Sequence, residues 1–148
     1  MNYNNQISLA FKDLTARIEA ACKRVSRNPE SVTLVAVSKK QEVSKMLAYQ
    51  ELAEQLGKQV IFAENYVQEL ADKYETLPKD IRWHFIGHLQ SNKVKFIAPF
   101  VHLIHGVDSF KLLQEINKQA LKNNRVIDCL LQLYIAKEET KFGLSFEE

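Results

Sequence analysis

The feature of this sequence that most constrains its fold is a set of short apolar runs separated by longer amphipathic segments. The first run, Val32–Ser38, is rich in β-branched residues and too short for a buried helix, which is typical of a strand covered on both faces. The preceding segment, Ile7–Arg27, has apolar residues every three or four positions and predicts an amphipathic helix that ends at Asn28-Pro29. The alternation predicts an α/β fold with a parallel sheet.

The same alternation continues along the rest of the chain. Further strands are predicted at 60–63, 81–86, 101–107 and 126–135, and helices at 43–56, 66–74, after Ser91, at 109–123 and from Phe146. Gly57 is predicted as a helix stop, and the Ser91 and Ser109 hydroxyls as caps. Parallel strands with right-handed crossovers leave two architectures open, a doubly wound sheet and a (β/α)8 barrel. A complete barrel takes about 200 to 250 residues, so 148 residues would hold a leading helix and about five strand-helix units.

The charge balance and cysteine content exclude several classes of protein. The chain has 20 basic and 18 acidic residues, a net charge of +2 and no polybasic run, which argues against a nucleic-acid or anionic-membrane surface. No apolar run approaches the roughly 20 residues that span a bilayer, and the amino terminus lacks the pattern of a signal peptide. Cys22 and Cys129 form no Cys-x-x-Cys pair. We therefore expect a cytoplasmic protein.

Among the residues that follow the predicted strands, Lys39 is the strongest candidate for a reactive group. It would share a face of its strand with Thr33, Val35 and Val37, so that its amine is drawn toward the core. Loss of water favours the neutral amine, which is the form that attacks an aldehyde. The alternative is a lysine whose side chain extends from the end of the sheet into water.

The histidines are weaker candidates for chemistry. His84 and His88 have the His-x-x-x-His spacing of a zinc-binding pair on a helix. On a strand they would lie roughly 13 Å apart, so no metal site is predicted. His102 and His105 fall on opposite faces of their strand and have no acidic neighbour in sequence, which favours structural roles. No Gly-x-Gly-x-x-Gly or Walker loop is present, which argues against a dinucleotide-binding or nucleotide-hydrolysing open sheet.

Several strand-end segments occur in an order that resembles a known family. They are Leu34-Val35-Ala36-Val37-Ser38-Lys39, Glu64-Asn65-Tyr66-Val67-Gln68-Glu69, Trp83-His84-Phe85-Ile86-Gly87-His88-Leu89-Gln90-Ser91-Asn92-Lys93, Val107-Asp108-Ser109 and Glu138–Gly143. Together they closely resemble the pyridoxal-phosphate homeostasis proteins (the YggS family), whose members resemble the barrel domain of alanine racemase. The resemblance runs over residues 6–148 and favours the barrel, as a single partial domain with a leading helix at 6–28 and strands within 32–148.

The resemblance also implies a function and a set of site residues. The lysine of the family that forms an internal aldimine with pyridoxal 5′-phosphate (PLP) falls on Lys39. Asn65 and Ser91 would offer hydrogen bonds to the cofactor, and His88 would pack against its ring. The implied role is binding, storage or delivery of PLP, with PLP-dependent apoenzymes as recipients and no amino-acid turnover.

Two other functions remain open at this point. The first is a PLP-dependent racemase or lyase, although alanine racemase takes its second base, a tyrosine, from a domain that nothing here supplies. The second is an interaction module whose exposed sheet edges pair with another chain.

The sequence also departs from the family pattern. Ala63 replaces a common glycine, Glu42 a common proline and Ala136-Lys137 a usual asparagine. The larger departure is length, because the last strands of a barrel and the glycine, serine and arginine residues that hold the phosphate in this family are missing. We therefore expect a family member cut short, with exposed edges and weak PLP binding.

Overall fold

The computed structural model describes residues 3–135 and 142–145 and alternates helices with strands along the chain. The elements are α1 (Tyr3–Arg24), a 3-10 turn (Pro29–Ser31), β1 (Ala36–Val37), α2 (Val43–Gln55), β2 (Ile61–Glu64), α3 (Val67–Thr76), β3 (Arg82–Phe85), a 3-10 turn (Ser91–Lys93), α4 (Val94–Ile97), β4 (Leu103–Val107), α5 (Phe110–Lys122) and β5 (Asp128–Leu131). The predicted alternation is confirmed, and the helix predicted from Phe146 lies outside the described residues.

The strands form one five-stranded sheet in the order β1-β2-β3-β4-β5. The pairs β2–β3, β3–β4 and β4–β5 are parallel, with Glu64 beside Phe85 and Ile104 beside Cys129. A doubly wound sheet would reverse direction at a switch point, whereas here every strand follows its predecessor in both chain and sheet. The architecture is therefore part of a (β/α)8 barrel, as the sequence resemblance implies.

The chain divides into two compact units, and the first comprises residues 1–36 and 40–60. It contains α1 and α2, whose Phe11 and Tyr49 rings meet edge to face with centroids 5.8 Å apart. Asn28 accepts a hydrogen bond from the Glu30 amide, and Pro29 stands at the first position of the 3-10 turn. α1 ends at Arg24, before the predicted end at Asn28-Pro29. Gly57 follows α2 with a φ of +63°, as expected of a helix stop.

The second unit comprises residues 37–39 and 61–148 and holds most of the sheet. Phe62 and Trp83 pack against each other from β2 and β3 at 5.8 Å, and both are buried. The Tyr74 ring of α3 stacks on Phe100 at 3.8 Å. Burial of Phe62 and Trp83 stabilises the unit, because each large aromatic side chain removes about 150 to 250 Å² from water.

β5 differs from the central strands because most of its residues are exposed. Apolar side chains are exposed before, within and after it: Val126 is 89% exposed, Leu131 57% and Ile135 78%. No helix in the described parts of the chain is long and apolar enough to cross a membrane.

Candidate functional site

The carboxyl ends of consecutive strands bring together the segments that the sequence singles out. Ser38-Lys39 follows β1, Glu64 closes β2, Gly87-His88 follows β3 and Asp108 follows β4. The Ser38 amide donates to the Ala63 carbonyl over 3.0 Å, which joins the end of β1 to β2. Because the neighbouring strands β2, β3 and β4 are parallel, their carboxyl ends meet at one edge, where ligands bind in folds of this class.

Lys39 lies in the turn after β1 with an exposed side chain. Val37, two residues earlier and on the same side of the strand, is 51% exposed. The prediction that this amine is withdrawn from water is therefore wrong for this chain. β1 is the first strand of the sheet and has a neighbour on one side only, so an apolar row along it is not sufficient to bury the residue that ends the row. The amine is accessible from solution.

A buried polar network holds the residue before Lys39. The Lys73 ammonium, on α3, donates to the Ser38 carbonyl over 2.7 Å, to Glu64 Oε1 over 2.8 Å and to Glu69 Oε1 over 2.7 Å. The Ser38 hydroxyl donates to the same Glu64 Oε1 over 2.6 Å. Glu64 is fully buried, and Ser38 and Lys73 are 3% and 6% exposed. The network therefore joins the ends of β1 and β2 to α3.

This network was not predicted from the sequence. Its only local signal is the i, i+4 spacing of Glu69 and Lys73 on a predicted helix, and that spacing is more typical of an exposed surface pair. The partner that makes the pair unusual, Glu64, lies on a different element, so its contact with Lys73 depends on the tertiary fold.

His88 contacts Asp108 at the same edge of the sheet. Its Nδ1 lies 3.0 Å from Asp108 Oδ2, and its ring stacks on Phe142 with centroids 4.3 Å apart and an interplanar angle of 22°. The segments that contain His88 and Asp108 were both singled out from the sequence, but the contact between these two side chains was not predicted. The pair fixes the orientation of a half-exposed imidazole whose predicted role is to pack against a cofactor ring.

A cavity of about 540 Å³ lies between the loops that follow β2 and β3. Of the predicted site residues, Asn65 and His88 line it, whereas Lys39 and Ser91 do not. The other lining residues combine aromatic and polar side chains, namely Tyr66, Phe85, Phe96, Gln68, Gln90 and Lys93, with Val67 and Gly87. Its volume and mixed lining suit a small organic ligand.

Asn65 and Ser91 differ in what they offer to a ligand. Asn65 Oδ1 is buried and accepts no hydrogen bond from the described residues, so it is available as an acceptor. A Cβ on Gly87 would come 2.2 Å from the Asn65 carbonyl oxygen, so only glycine allows this close approach. Ser91 begins the 3-10 turn, whereas Gln90 occupies the cap position without a side-chain hydrogen bond. The prediction that Ser91 is the cap is therefore wrong, because Ser91 is already the first residue of the turn and Gln90 precedes it.

A second cluster of ionisable groups lies on β3 and β4. His84 Nδ1 and His105 Nε2 are 3.1 Å apart, within hydrogen-bond distance. Burial, followed by the positive charges of His105, His102 and Arg82, lowers the pKa of His84 from 6.5 to about 4. The pKa values of His102 and His105 are also lowered, in both cases mainly by burial. Within the described residues no group of three or more His, Cys, Asp or Glu side chains could hold a metal ion.

Two curated proteins similar to this chain carry the same name. Pyridoxal phosphate homeostasis proteins of Haemophilus influenzae and Aquifex aeolicus are 37% and 39% identical over 151 and 132 residues, which cover 100% and 88% of this chain. This chain is a relative of the pyridoxal phosphate homeostasis proteins. It spans 60% and 56% of the length of these two. No family model matches.

Solved structures agree with this relationship. A protein of unknown function from Bifidobacterium adolescentis superposes with a TM-score of 0.82 at 28% identity over 96% of this chain and 60% of its own. PipY of Synechococcus elongatus, solved with PLP bound, gives a TM-score of 0.67 at 31% identity over 86% of this chain and 57% of its own. The sequence resemblance is therefore confirmed, and so is the partial barrel.

Proposed function

We propose that this chain binds PLP for storage or delivery through Lys39 as covalent anchor and does not itself turn over amino acids. The observation that supports this most is the position of Lys39. It is an accessible lysine after the first strand of a partial barrel, in a relative of PLP homeostasis proteins and of PipY, which was solved with PLP.

The residues present suit the reactive end of this cofactor. PLP supplies an aldehyde that condenses with an unprotonated lysine amine to a Schiff base, forming a C=N bond and releasing one water. Lys39 offers the exposed amine, and the buried Oδ1 of Asn65 offers an acceptor that no described residue uses.

The remaining site residues take supporting roles in this proposal. His88, oriented by Asp108, packs against the ring of the ligand, and Asn65 and Ser91 hydrogen-bond to its substituents. The chain acts as one partial barrel domain in the cytoplasm, and PLP-dependent apoenzymes receive the cofactor.

The proposal is tested by trapping the bound cofactor. The chain is incubated with excess PLP, its visible spectrum is recorded, borohydride reduces the C=N bond, and the peptides are sequenced by mass spectrometry. We expect a visible band and an adduct on Lys39, both lost in Lys39→Ala and retained in Lys40→Ala. An adduct on another lysine, with Lys39 unmodified, would overturn the assignment.

The absence of catalysis is tested with the same loaded protein. Incubation with L-alanine or L-serine should give no sustained formation of the D-enantiomer or of pyruvate. Turnover that continues through many cycles and disappears in Lys39→Ala would instead favour the racemase or lyase.

A further inference from the structure

The buried residue Lys73 contacts the peptide group that leads into Lys39. Its ammonium donates to the Ser38 carbonyl oxygen over 2.7 Å. That oxygen and the Cα of Lys39 belong to the same planar peptide unit. A hydrogen bond that fixes the oxygen therefore also fixes the point from which the Lys39 side chain starts.

All the polar groups of Ser38 are engaged in this way. Its amide donates to Ala63 over 3.0 Å, its hydroxyl to Glu64 over 2.6 Å and its carbonyl accepts from Lys73. Lys40, the residue after Lys39, has a φ of +59°, a backbone conformation that residues other than glycine rarely adopt. Lys39 therefore lies between a fixed residue and a residue with a positive φ.

The burial of the charges argues for a positional role. Removing an ion pair from water costs free energy that its mutual attraction often fails to recover, so a buried pair is weak evidence for stability. Lys73 and Glu64 are nonetheless both buried, and their 2.8 Å contact lies against Ser38, the residue that connects β1 to Lys39. Their shared partner, Ser38, is the residue whose position they determine.

We propose that Lys73 and Glu64 are positioning residues that present Lys39, rather than its neighbour Lys40, to a carbonyl-bearing ligand. Glu69 is a lesser member, because it contacts Lys73 at the partly exposed end of the network. The inference rests on the proposed function and adds the reason why one of two adjacent amines is selected.

The test measures how an adduct is divided between the two lysines. The full chain is incubated with PLP and reduced with borohydride, and fragment ions that separate residues 39 and 40 give the ratio of the two adducts. In Lys73→Met we expect the ratio of Lys39 to Lys40 adduct to fall about tenfold, the equivalent of one charge-assisted hydrogen bond. Lys95→Met removes an exposed lysine of α4 and should leave the ratio unchanged.

A second measurement needs no cofactor. Hydrogen exchange of the Ser38 amide in the PLP-free chain should be faster in Lys73→Met than in the wild type, and unchanged in Lys95→Met. Lys73→Met leaves Glu64 buried without its cation, so circular dichroism first checks that the variant is folded. Lys73→Met/Glu64→Gln removes both charges, and Ser38→Ala removes only the hydroxyl bond. Each of these should shift the adduct ratio in the same direction.

The outcomes separate this inference from the function on which it rests. If the wild type carries its adduct on Lys39 and the folded variants keep the same ratio, the positioning role is wrong and the anchor stands. If the wild type carries no adduct on Lys39, the proposed function itself fails. A ratio that moves equally in Lys95→Met would also overturn the positioning role, because that residue is outside the network.

Discussion

His84 and His105 share a single hydrogen bond between adjacent strands, 3.1 Å long. One ring donates and the other accepts, so at least the accepting nitrogen is unprotonated when the bond forms. Protonation of both rings would place two positive charges against each other, near the further cationic groups Arg82 and His102 that lower the pKa of His84. The pair therefore makes the folded state resist proton uptake.

This pair predicts a loss of stability in mild acid. The His84 pKa is about 4 in the folded chain and near its ordinary value in the unfolded chain, so between about pH 6.5 and 4 the unfolded state binds more protons. Stability is complete above this window and falls as the pH decreases through it. At pH 5 we expect a loss on the order of 2 kcal/mol relative to pH 7, measured by urea unfolding.

The variant His84→Asn should lose most of this pH dependence, whatever its stability at pH 7. His102→Gln, which replaces an exposed ring and removes one of the lesser causes of the low His84 pKa, should retain the larger part of it. Equal pH dependence in the wild type and His84→Asn would show that the pair does not control proton uptake.

Single residues also mark the limit of what the sequence could predict. The motif residues Lys39, Asn65 and His88 all lie at the carboxyl edge of the sheet, as their positions after strands predict. Their environments were not predictable, because the exposure of Lys39 and the pairing of His88 with Asp108 depend on which strands become neighbours. Lys73 was missed for the same reason.

At the scale of elements, the N-terminus of α5 was predicted correctly from the local sequence. The sequence predicts Ser109 as the cap, and its hydroxyl accepts a hydrogen bond from the Leu112 amide over 3.2 Å. This bond satisfies one of the helical amides that have no partner within the helix.

Ser109→Ala should destabilise the chain by about 1 kcal/mol, because the Leu112 amide loses its acceptor. Ser109→Asp supplies another acceptor and should retain most of the stability. Both are measured as shifts of the urea midpoint at constant slope. An Ala variant as stable as the wild type would mean that α5 is held by its packing alone.

The bounds of the elements were predicted with different accuracy, and β1 shows why. Agreement is within one residue at either end for α2, α5, β2 and β3, because the pattern of apolar residues is a local signal. The apolar run Val32–Ser38 predicted a seven-residue strand, but β1 includes only Ala36 and Val37. Apolar β-branched residues favour extended backbone, whereas the length of a strand depends on the partner with which it pairs.

At the scale of the whole molecule, the exposed apolar side chains around β5 predict self-association. Val126, Leu131 and Ile135 are each more than half exposed, and β5 is the last strand of the sheet order. An edge strand with uncovered apolar residues is a template for pairing with another chain.

Sedimentation velocity should show oligomers that increase with protein concentration. Val126→Lys/Ile135→Lys should reduce them by placing charge beside the edge. Leu121→Lys replaces an exposed leucine on α5, 68% exposed, and should have less effect. A wild-type chain that stays monomeric across the concentration range would exclude this mode of association.

The consecutive order of the strands has a consequence for biosynthesis. Each strand from β2 onward finds its partner in the strand made just before it, so no pairing has to wait for a distant part of the chain. Paired residues such as Ile61 and Arg82 are separated by a single crossover and not by most of the chain, which limits the entropy lost when each pair forms. The sheet can therefore grow one strand at a time while the ribosome is still translating the remainder.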